Sequence, residues 1–210
     1  QQIYGLNREN CAEKIFSTLH SLSRKWSPGR DDNIPGRAFL KSGSSEFIKI
    51  DPDTLKLFKI SEEINLKTEG YFNIKTEPLI SLWKEDIRSR NIPSGEQINR
   101  ALSLVKHSSM EFDLKNGFTL HPAGASINLG GIGKGFAADK AVDIFRDYGI
   151  KSAMISLGGN VSVKGRKPDG SFWKVGIRDP HSKHESLKGY IECEDCSIVT
   201  SGDYENFCTI

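Results

Sequence analysis

Apolar residues recur every three or four positions in the segment 8–26, which predicts a helix with one hydrophobic face. Its apolar positions are Cys11, Ile15, Leu19, Leu22 and Trp26. The tripeptide Ser27-Pro28-Gly29 then ends it. A second helix is predicted from Asp51 or Asp53, with Pro52 in its first turn, to about Thr68. A capping box at 94–97 predicts a third helix, and a fourth is predicted over 134–148, closed by Gly149.

The remaining regular pattern is typical of strands. Two short runs, 110–114 and 118–121, flank Asn116-Gly117 and predict a hairpin. The last third predicts strands at 153–157, 161–164, 173–178, 189–193 and 197–200. Segment 30–43 is predicted to be a surface loop, and 71–83 has no clean period. Helices mixed with hairpin-linked strands predict an α+β fold with mixed, largely antiparallel sheets packed with helices, organised as a single domain over 1–210.

Composition narrows the function classes. The 210 residues are 37% apolar and 27% charged, with a net charge of +2, as in ordinary globular proteins. Basic residues are nowhere concentrated enough to predict nucleic-acid binding, and no apolar run is long enough for a membrane helix. Cys193 and Cys196 have C-x-x-C spacing, but no second pair follows, so we interpret them as structural rather than metal-binding or redox-active.

A glycine-rich segment at 128–139, Asn-Leu-Gly-Gly-Ile-Gly-Lys-Gly-Phe-Ala-Ala-Asp, precedes the fourth helix. Glycines let backbone N–H groups approach an anion, the helix N-terminus adds partial positive charge, and Lys134 could add a full one. The spacing is neither that of a Walker A loop nor that of a dinucleotide fingerprint. From spacing alone, a phosphate site and a merely tight strand–helix turn are equal alternatives.

Four segments in order resemble the ApbE-type FAD:protein FMN transferases. The glycine segment is similar to that family's central Asp-Leu-Gly-Gly-Ile-Ala/Gly-Lys-Gly motif. Thr68-Glu-Gly-Tyr-Phe-Asn73 with Pro78, Leu79 and Trp83, then Ser156-Leu-Gly-Gly-Asn160, then Thr200-Ser-Gly-Asp-Tyr-Glu205, resemble its other motifs. The resemblance spans essentially the whole chain and implies the ApbE-like flavin transferase fold.

The resemblance also implies a reaction. FAD is cleaved with Mg²⁺, AMP leaves, and FMN is attached through its phosphate to a Thr or Ser hydroxyl of an acceptor flavoprotein. An FAD pyrophosphatase and a non-catalytic FAD-binding protein remain alternatives. The residues implied to contact FAD are Tyr71, Phe72, Asn73, Asn128, Lys134, Gly158, Gly159, Thr200, Ser201 and Gly202. The carbonyl of Gly131 is implied as a metal ligand, and no catalytic residue is assigned.

Departures from the family pattern motivate two further expectations. Asn73 and Asn128 stand where Asp is commonest, and Glu77 stands where Gly usually precedes Pro-Leu. We therefore expect Asn128→Asp to raise magnesium-dependent activity. The family's N-terminal strand and its C-terminal Asp-x-x-x-Thr metal ligands are not among these 210 residues, so the metal site is expected to be incomplete here. The resemblance places the protein outside the cytoplasm, periplasmic or in the cell envelope, held to the membrane only through a removed lipid-anchored leader.

Overall fold

The structure of the chain is a computed structural model that describes residues 2–5, 7–89, 91–180 and 186–202. Its helices are α1 (Arg8–Trp26), α2 (Ile34–Leu40), α3 (Pro52–Lys67), α4 (Glu77–Ser89), α5 (Gly95–His107) and α6 (Gly133–Asp147), with a short 3₁₀ helix at Ile74–Thr76. Its strands are β1 (Gln2–Tyr4), β2 (Ser109–Asp113), β3 (Gly117–His121), β4 (Ser152–Leu157), β5 (Asn160–Lys164), β6 (Trp173–Arg178), β7 (Leu187–Cys193) and β8 (Cys196–Val199).

The described chain divides into two compact units. One comprises the described residues within 1–22 and 134–209, and the other comprises those within 23–133. Every strand pair in both units is antiparallel. The α+β class with antiparallel sheets is confirmed, whereas the single-domain organisation stays a prediction.

The first unit contains a four-stranded sheet in the order β1-β4-β5-β8 and a separate β6-β7 hairpin. Cys11 and Ile15 of α1 pack with Phe145 of α6 and Ile155 of β4, and all four are buried. The same face of α1 carries the three-to-four-residue repeat that predicts the helix. A smaller core forms around the buried indole of Trp173.

The second unit contains α2 to α5 and the β2-β3 hairpin. The ring of Phe58 on α3 meets the rings of Phe112 and Phe118 edge-on, with centroids 5.5 and 5.1 Å away. Helix α3 begins where predicted, because the Asp51 side chain accepts hydrogen bonds from the N–H groups of Asp53 and Thr54. The capping box of α5 is also present, between Ser94 and Gln97.

One sequence interpretation was wrong, and one segment without a predicted element contains two helices. The predicted surface loop 30–43 contains α2, which is capped by Asn33 and has a proline in its first turn. The segment 71–83, in which no element was assigned, contains the 3₁₀ helix and the start of α4. Helix α2 has only seven residues, and the segment 71–83 contains only the start of α4. In both segments the apolar repeat is therefore too short to show a helical period. Within the described part of the chain, we find no helix with the length and apolar character that a membrane crossing requires.

Candidate functional site

Asn128 anchors the glycine turn in the 23–133 unit. Its backbone N–H donates to the carbonyl of Ile74 at 2.7 Å. Its side-chain oxygen accepts from the N–H of Gly130 at 2.7 Å, and its side-chain nitrogen donates to the carboxylate of Glu77. Two of these bonds tie the start of the turn to the 3₁₀ helix and to α4, and the third lies within the turn.

The glycines of the turn serve different purposes. None of Gly130, Gly131, Gly133 and Gly135 has a positive φ, so backbone conformation does not require glycine there. A Cβ at Gly130 would lie 2.9 Å from the Asn128 oxygen, and one at Gly131 would lie 3.2 Å from the Phe72 ring. At Gly133 and Gly135 the nearest atoms would be 4.0 and 3.8 Å away, which is ordinary contact.

Contacts with the described residues therefore give no packing reason for glycine at the last two positions. In a helix, each glycine costs up to about 1 kcal/mol relative to alanine. Gly133 and Gly135 lie in the first turn of α6, whose leading N–H groups have no partner within the helix, although the N–H of Gly133 donates to the Leu129 carbonyl before the helix at 2.7 Å. Both glycines are half-buried, and at Gly135 the absence of a side chain leaves room for an anion to approach the backbone.

The aromatic segment before the 3₁₀ helix presents one side chain to solvent. Tyr71 is 94% exposed, whereas Phe72 is half-buried. The N–H of Phe72 donates to the Thr68 hydroxyl at 3.0 Å, and its carbonyl accepts from the Asn65 side chain at 2.6 Å. The Asn73 side chain accepts from the N–H of Lys75 at 2.9 Å and caps the 3₁₀ helix.

A pocket of about 320 Å³ lies in the same unit. Phe39, Pro35 and Ile127 form apolar parts of its wall, and Glu77 and Arg30 line it as well. Its remaining lining residues are Pro28, Gly29, Asp31, Gly36, Pro78, Ser81, Gly124 and Ser126. A hydrogen bond from Arg30 lowers the pKa of Asp32, so this guanidinium is held by a carboxylate outside the lining set. The volume is at the lower end of the range for small-molecule sites.

The other predicted residues lie in the unit that contains 134–202. The ammonium of Lys134 donates to the carbonyl of Gly158 at 3.3 Å, and the N–H of Thr200 donates to the carbonyl of Gly159 at 2.9 Å. Gly158 and Gly159 both have positive φ and form the two-residue turn of the β4-β5 hairpin. Four predicted residues are therefore close together, and the exposed Ser201 and Gly202 follow Thr200.

Magnesium is not accounted for by the described residues. Across the ranges given above, no group of three or more His, Cys, Asp or Glu side chains could hold a metal ion. The Gly131 carbonyl would be one oxygen, whereas Mg²⁺ requires near-octahedral coordination and usually at least one carboxylate. The residues present do not fit a magnesium site by themselves.

The C-x-x-C pair shows no sign of a reactive centre. Cys193 and Cys196 are free thiols that pack against the Trp173 core. Burial, together with a hydrogen bond and charge interaction with Cys196, raises the pKa of Cys193 to about 11. Cys193 is therefore protonated at neutral pH, and a protonated thiol is a poor nucleophile and metal ligand.

Sequence reasoning did not assign Glu77 to the site. One oxygen of its carboxylate accepts a hydrogen bond from the side-chain nitrogen of Asn128, and the other accepts one from the Ser81 hydroxyl at 2.7 Å. A signal was present, because Glu77 and Asn128 both depart from the family pattern. Because the two residues are far apart in sequence, the sequence alone does not show that they are in contact.

Comparison with known proteins identifies the family. The ApbE family matches residues 2–210, and the chain belongs to the ApbE family. It is 30% identical over 198 residues to a FAD:protein FMN transferase of Vibrio cholerae, covering 92% of this chain and 58% of that relative. It is 29% identical over 209 residues to a FAD:protein FMN transferase of Treponema pallidum, covering 93% of this chain and 58% of that relative.

A solved structure gives the same family. The chain is similar to the ApbE protein of Thermotoga maritima, with a TM-score of 0.84 and 27% identity, covering 98% of this chain and 66% of that one. The predicted ApbE-like fold is thereby confirmed. The chain spans 58% of the length of each of the two relatives above.

Proposed function

We propose that this chain belongs to a FAD:protein FMN transferase and carries much of its FAD-binding surface. The observation that carries the proposal is the family match over residues 2–210, together with relatives named as FAD:protein FMN transferases. Gly133 and Gly135 support it, because contacts with the described residues do not require glycine at either position, and a missing side chain lets an anion approach the first turn of α6.

The proposed reaction is a phosphoryl-type transfer. The hydroxyl oxygen of an acceptor Thr or Ser forms a bond to the phosphorus on the FMN side of the pyrophosphate. The bond between that phosphorus and the bridging oxygen breaks, and AMP leaves with the oxygen. The hydroxyl proton passes to solvent or to a base that we do not assign. Such reactions depend chiefly on positioning and on positive charge facing the phosphates.

The described residues could supply binding and orientation. The leading N–H groups of α6 and the ammonium of Lys134 offer positive charge to a phosphate. Lys134 is exposed, and among the described residues its ammonium has one hydrogen bond, to a carbonyl at 3.3 Å, so exchanging that bond for a phosphate contact costs little. The exposed ring of Tyr71 offers a face for a planar group such as the flavin.

Two parts of the proposal rest on the family resemblance alone. One is a magnesium ion with the Gly131 carbonyl as a ligand, and we derive no step from it. The other is a location outside the cytoplasm, with a lipid-anchored leader that is later removed. Fractionation of cells that express the protein with its native leader tests the location, and recovery solely in the cytoplasm would contradict it.

The reaction is tested with the longest form of the protein that contains this chain. It is incubated with FAD, Mg²⁺ and the acceptor flavoprotein of the same organism. We expect AMP in solution and an FMN mass adduct on a Thr or Ser of the acceptor. AMP with free FMN and no adduct would indicate a pyrophosphatase, whereas FAD binding without AMP would indicate a non-catalytic protein.

A pair of lysine variants connects the reaction to the glycine turn. Lys134→Ala should slow AMP release about tenfold or more, because a charge facing the phosphates is lost. Lys106→Ala is the control, since Lys106 is an exposed lysine in the last turn of α5. Equal rates for the two variants would contradict the role of Lys134.

A further inference from the structure

The side chain of Asn128 lies between a hydrogen-bond donor and a hydrogen-bond acceptor, and these two partners determine the orientation of its amide. Its amide has an oxygen that accepts and a nitrogen that donates. The oxygen meets the N–H of Gly130 at 2.7 Å, and the nitrogen meets the carboxylate of Glu77. A carboxylate can only accept, so Glu77 forces the nitrogen toward itself and the oxygen toward the turn.

Glu77 is itself held in place. It is the first residue of α4 and is half-buried. One carboxylate oxygen accepts from the Ser81 hydroxyl one turn later at 2.7 Å, and the other accepts from Asn128. Both oxygens therefore have a donor, and the carboxylate has little freedom to rotate.

We propose that Glu77 is the positioning residue of the glycine turn. Its carboxylate orients the Asn128 amide, and the amide holds the N–H of Gly130 and hence the conformation of 128–133. The importance of this turn for FAD rests on the proposed function. The Glu77–Asn128 pair also explains two departures at once, since a carboxylate at 77 calls for an amide rather than a second carboxylate at 128.

The pair reverses the expectation drawn from sequence for Asn128→Asp. An Asp at this position would keep an acceptor for Gly130 but would place a carboxylate oxygen against Glu77. Like charges in contact disfavour the doubly ionised state. We therefore expect Asn128→Asp to weaken FAD binding about tenfold near neutral pH, in place of the gain in activity expected from the family pattern.

The double variant Glu77→Gln/Asn128→Asp provides the rescue. A Gln at 77 can donate to an Asp at 128, which exchanges the donor and acceptor but restores the hydrogen bond. We expect its FAD dissociation constant, measured by flavin fluorescence, to return to within about threefold of the original value. Failure of the double variant to bind better than Asn128→Asp, while still folded, would overturn the proposal.

The pH dependence of FAD binding distinguishes repulsion between the two carboxylates from a loss of packing, which would not depend on pH. The defect of Asn128→Asp should shrink as the pH falls to about 5, because one proton shared by the two carboxyl groups restores a hydrogen bond. The other charged residues lining the pocket beside Glu77 are Arg30 and Asp31. Both are present in every variant, so comparison with the unmodified chain at each pH removes their contribution. A defect that is constant with pH would contradict the proposal.

The matched control is Asn116→Asp in the β2-β3 hairpin loop. Asn116 also donates its side-chain amide to a carboxylate, that of Asp113, at 2.7 Å. This loop is exposed, so the same chemical change there should leave FAD binding unaltered. A loss of FAD affinity equal to that of Asn128→Asp would show that the effect is unspecific.

Thermal unfolding without FAD separates this proposal from the proposed function. Asn128→Asp should lower the midpoint by about 3 °C or more, and the double variant should recover most of it. If the unmodified chain binds no FAD, the proposed function fails. The unfolding midpoints of the single and double variants then still decide whether Glu77 positions the turn. If FAD binds but the variants match the unmodified chain in both measurements, Glu77 has no positioning role.

Discussion

Tyr71 and Phe72 are adjacent in sequence but have opposite surroundings. Tyr71 is 94% exposed, so its ring contributes almost nothing to the protein's own packing. Phe72 is half-buried, held at both backbone groups, and close enough to Gly131 to restrict that position. We therefore propose that Tyr71, which is next in sequence to the ring that lies near Gly131, contacts a ligand.

Tyr71→Ala should separate binding from stability. Because the ring is exposed, we expect the unfolding midpoint to change by less than about 2 °C. If the ring contacts FAD, its removal should raise the FAD dissociation constant about tenfold. Parallel thermal unfolding and flavin fluorescence measure the two effects, and an unchanged dissociation constant would remove Tyr71 from the site.

Gly131→Ala tests the closeness of the turn to the aromatic segment. The added methyl group would lie 3.2 Å from the Phe72 ring, so the ring or the turn must move by a few tenths of an ångström. We expect FAD affinity to fall about tenfold with a small change in stability. Gly95→Ala is the control, because in the described part of the chain nothing lies within 4 Å of an added methyl there, and alanine is the better helix residue. Equal affinities in the two variants would contradict a role for the turn.

At this scale, the sequence could predict residue types but not their partners. The glycines and Asn128 stand out by motif and by spacing. The bond between Asn128 and Glu77 joins residues 51 positions apart, and no local pattern encodes such a contact. The positive φ of Gly158 and Gly159 gives those two glycines a hairpin role that is independent of any ligand.

Helix ends show which elements a sequence predicts well. Helix α3 has Asp51 as its cap, a proline in the first turn and a sustained apolar face, so three local signals agree. Helix α2 has seven residues and contains Gly36, so only its Asn33 cap and Pro35 mark it. Only glycine fits at position 36 of this helix, because an added Cβ would lie 1.8 Å from the Arg30 carbonyl oxygen. Tertiary packing of this kind overrides helix propensity.

Asp51→Ala should destabilise α3 in a pH-dependent way. Partial burial raises the pKa of Asp51, but hydrogen bonds from Thr54 and Lys25 outweigh it and leave the pKa below its usual value. A lowered folded-state pKa stabilises the protein above the unfolded-state pKa, and the contribution is lost as pH falls through the folded value. We expect a loss of about 1–2 kcal/mol near neutral pH, from denaturant unfolding.

Two comparisons make the Asp51 result specific. The loss should be smaller for Asp51→Asn, which keeps an acceptor for the helix N–H groups. It should also shrink in the original-versus-Ala comparison as the pH falls below about 4, the ordinary pKa of an aspartate, toward the lower folded-state pKa. A loss that stays constant down to acid pH would show that the charge of Asp51 has no part in the cap.

At the scale of the whole molecule, the periodic helices and the hairpin-linked strands were predictable, and the sheet order was not. The pairing of β5 with β8 joins residues more than 30 positions apart, across the β6-β7 hairpin. Alternation along each strand sets which face is buried, but it does not determine which strands become neighbours. The ordered family motifs, spread along nearly the whole chain, supplied the global information that local patterns lacked.

Ligand linkage provides a test that involves the whole chain. A ligand that binds only the folded protein stabilises it by about 2.7 kcal/mol at about 100 times its dissociation constant. For a chain of 210 residues, this corresponds to a rise in unfolding midpoint of about 5–10 °C. We expect FAD to produce this shift, and Tyr71→Ala to show a smaller one at the same FAD concentration. AMP and riboflavin at matched concentrations should each give less than FAD, because each lacks part of the ligand. A midpoint that FAD does not change would contradict FAD binding by this chain.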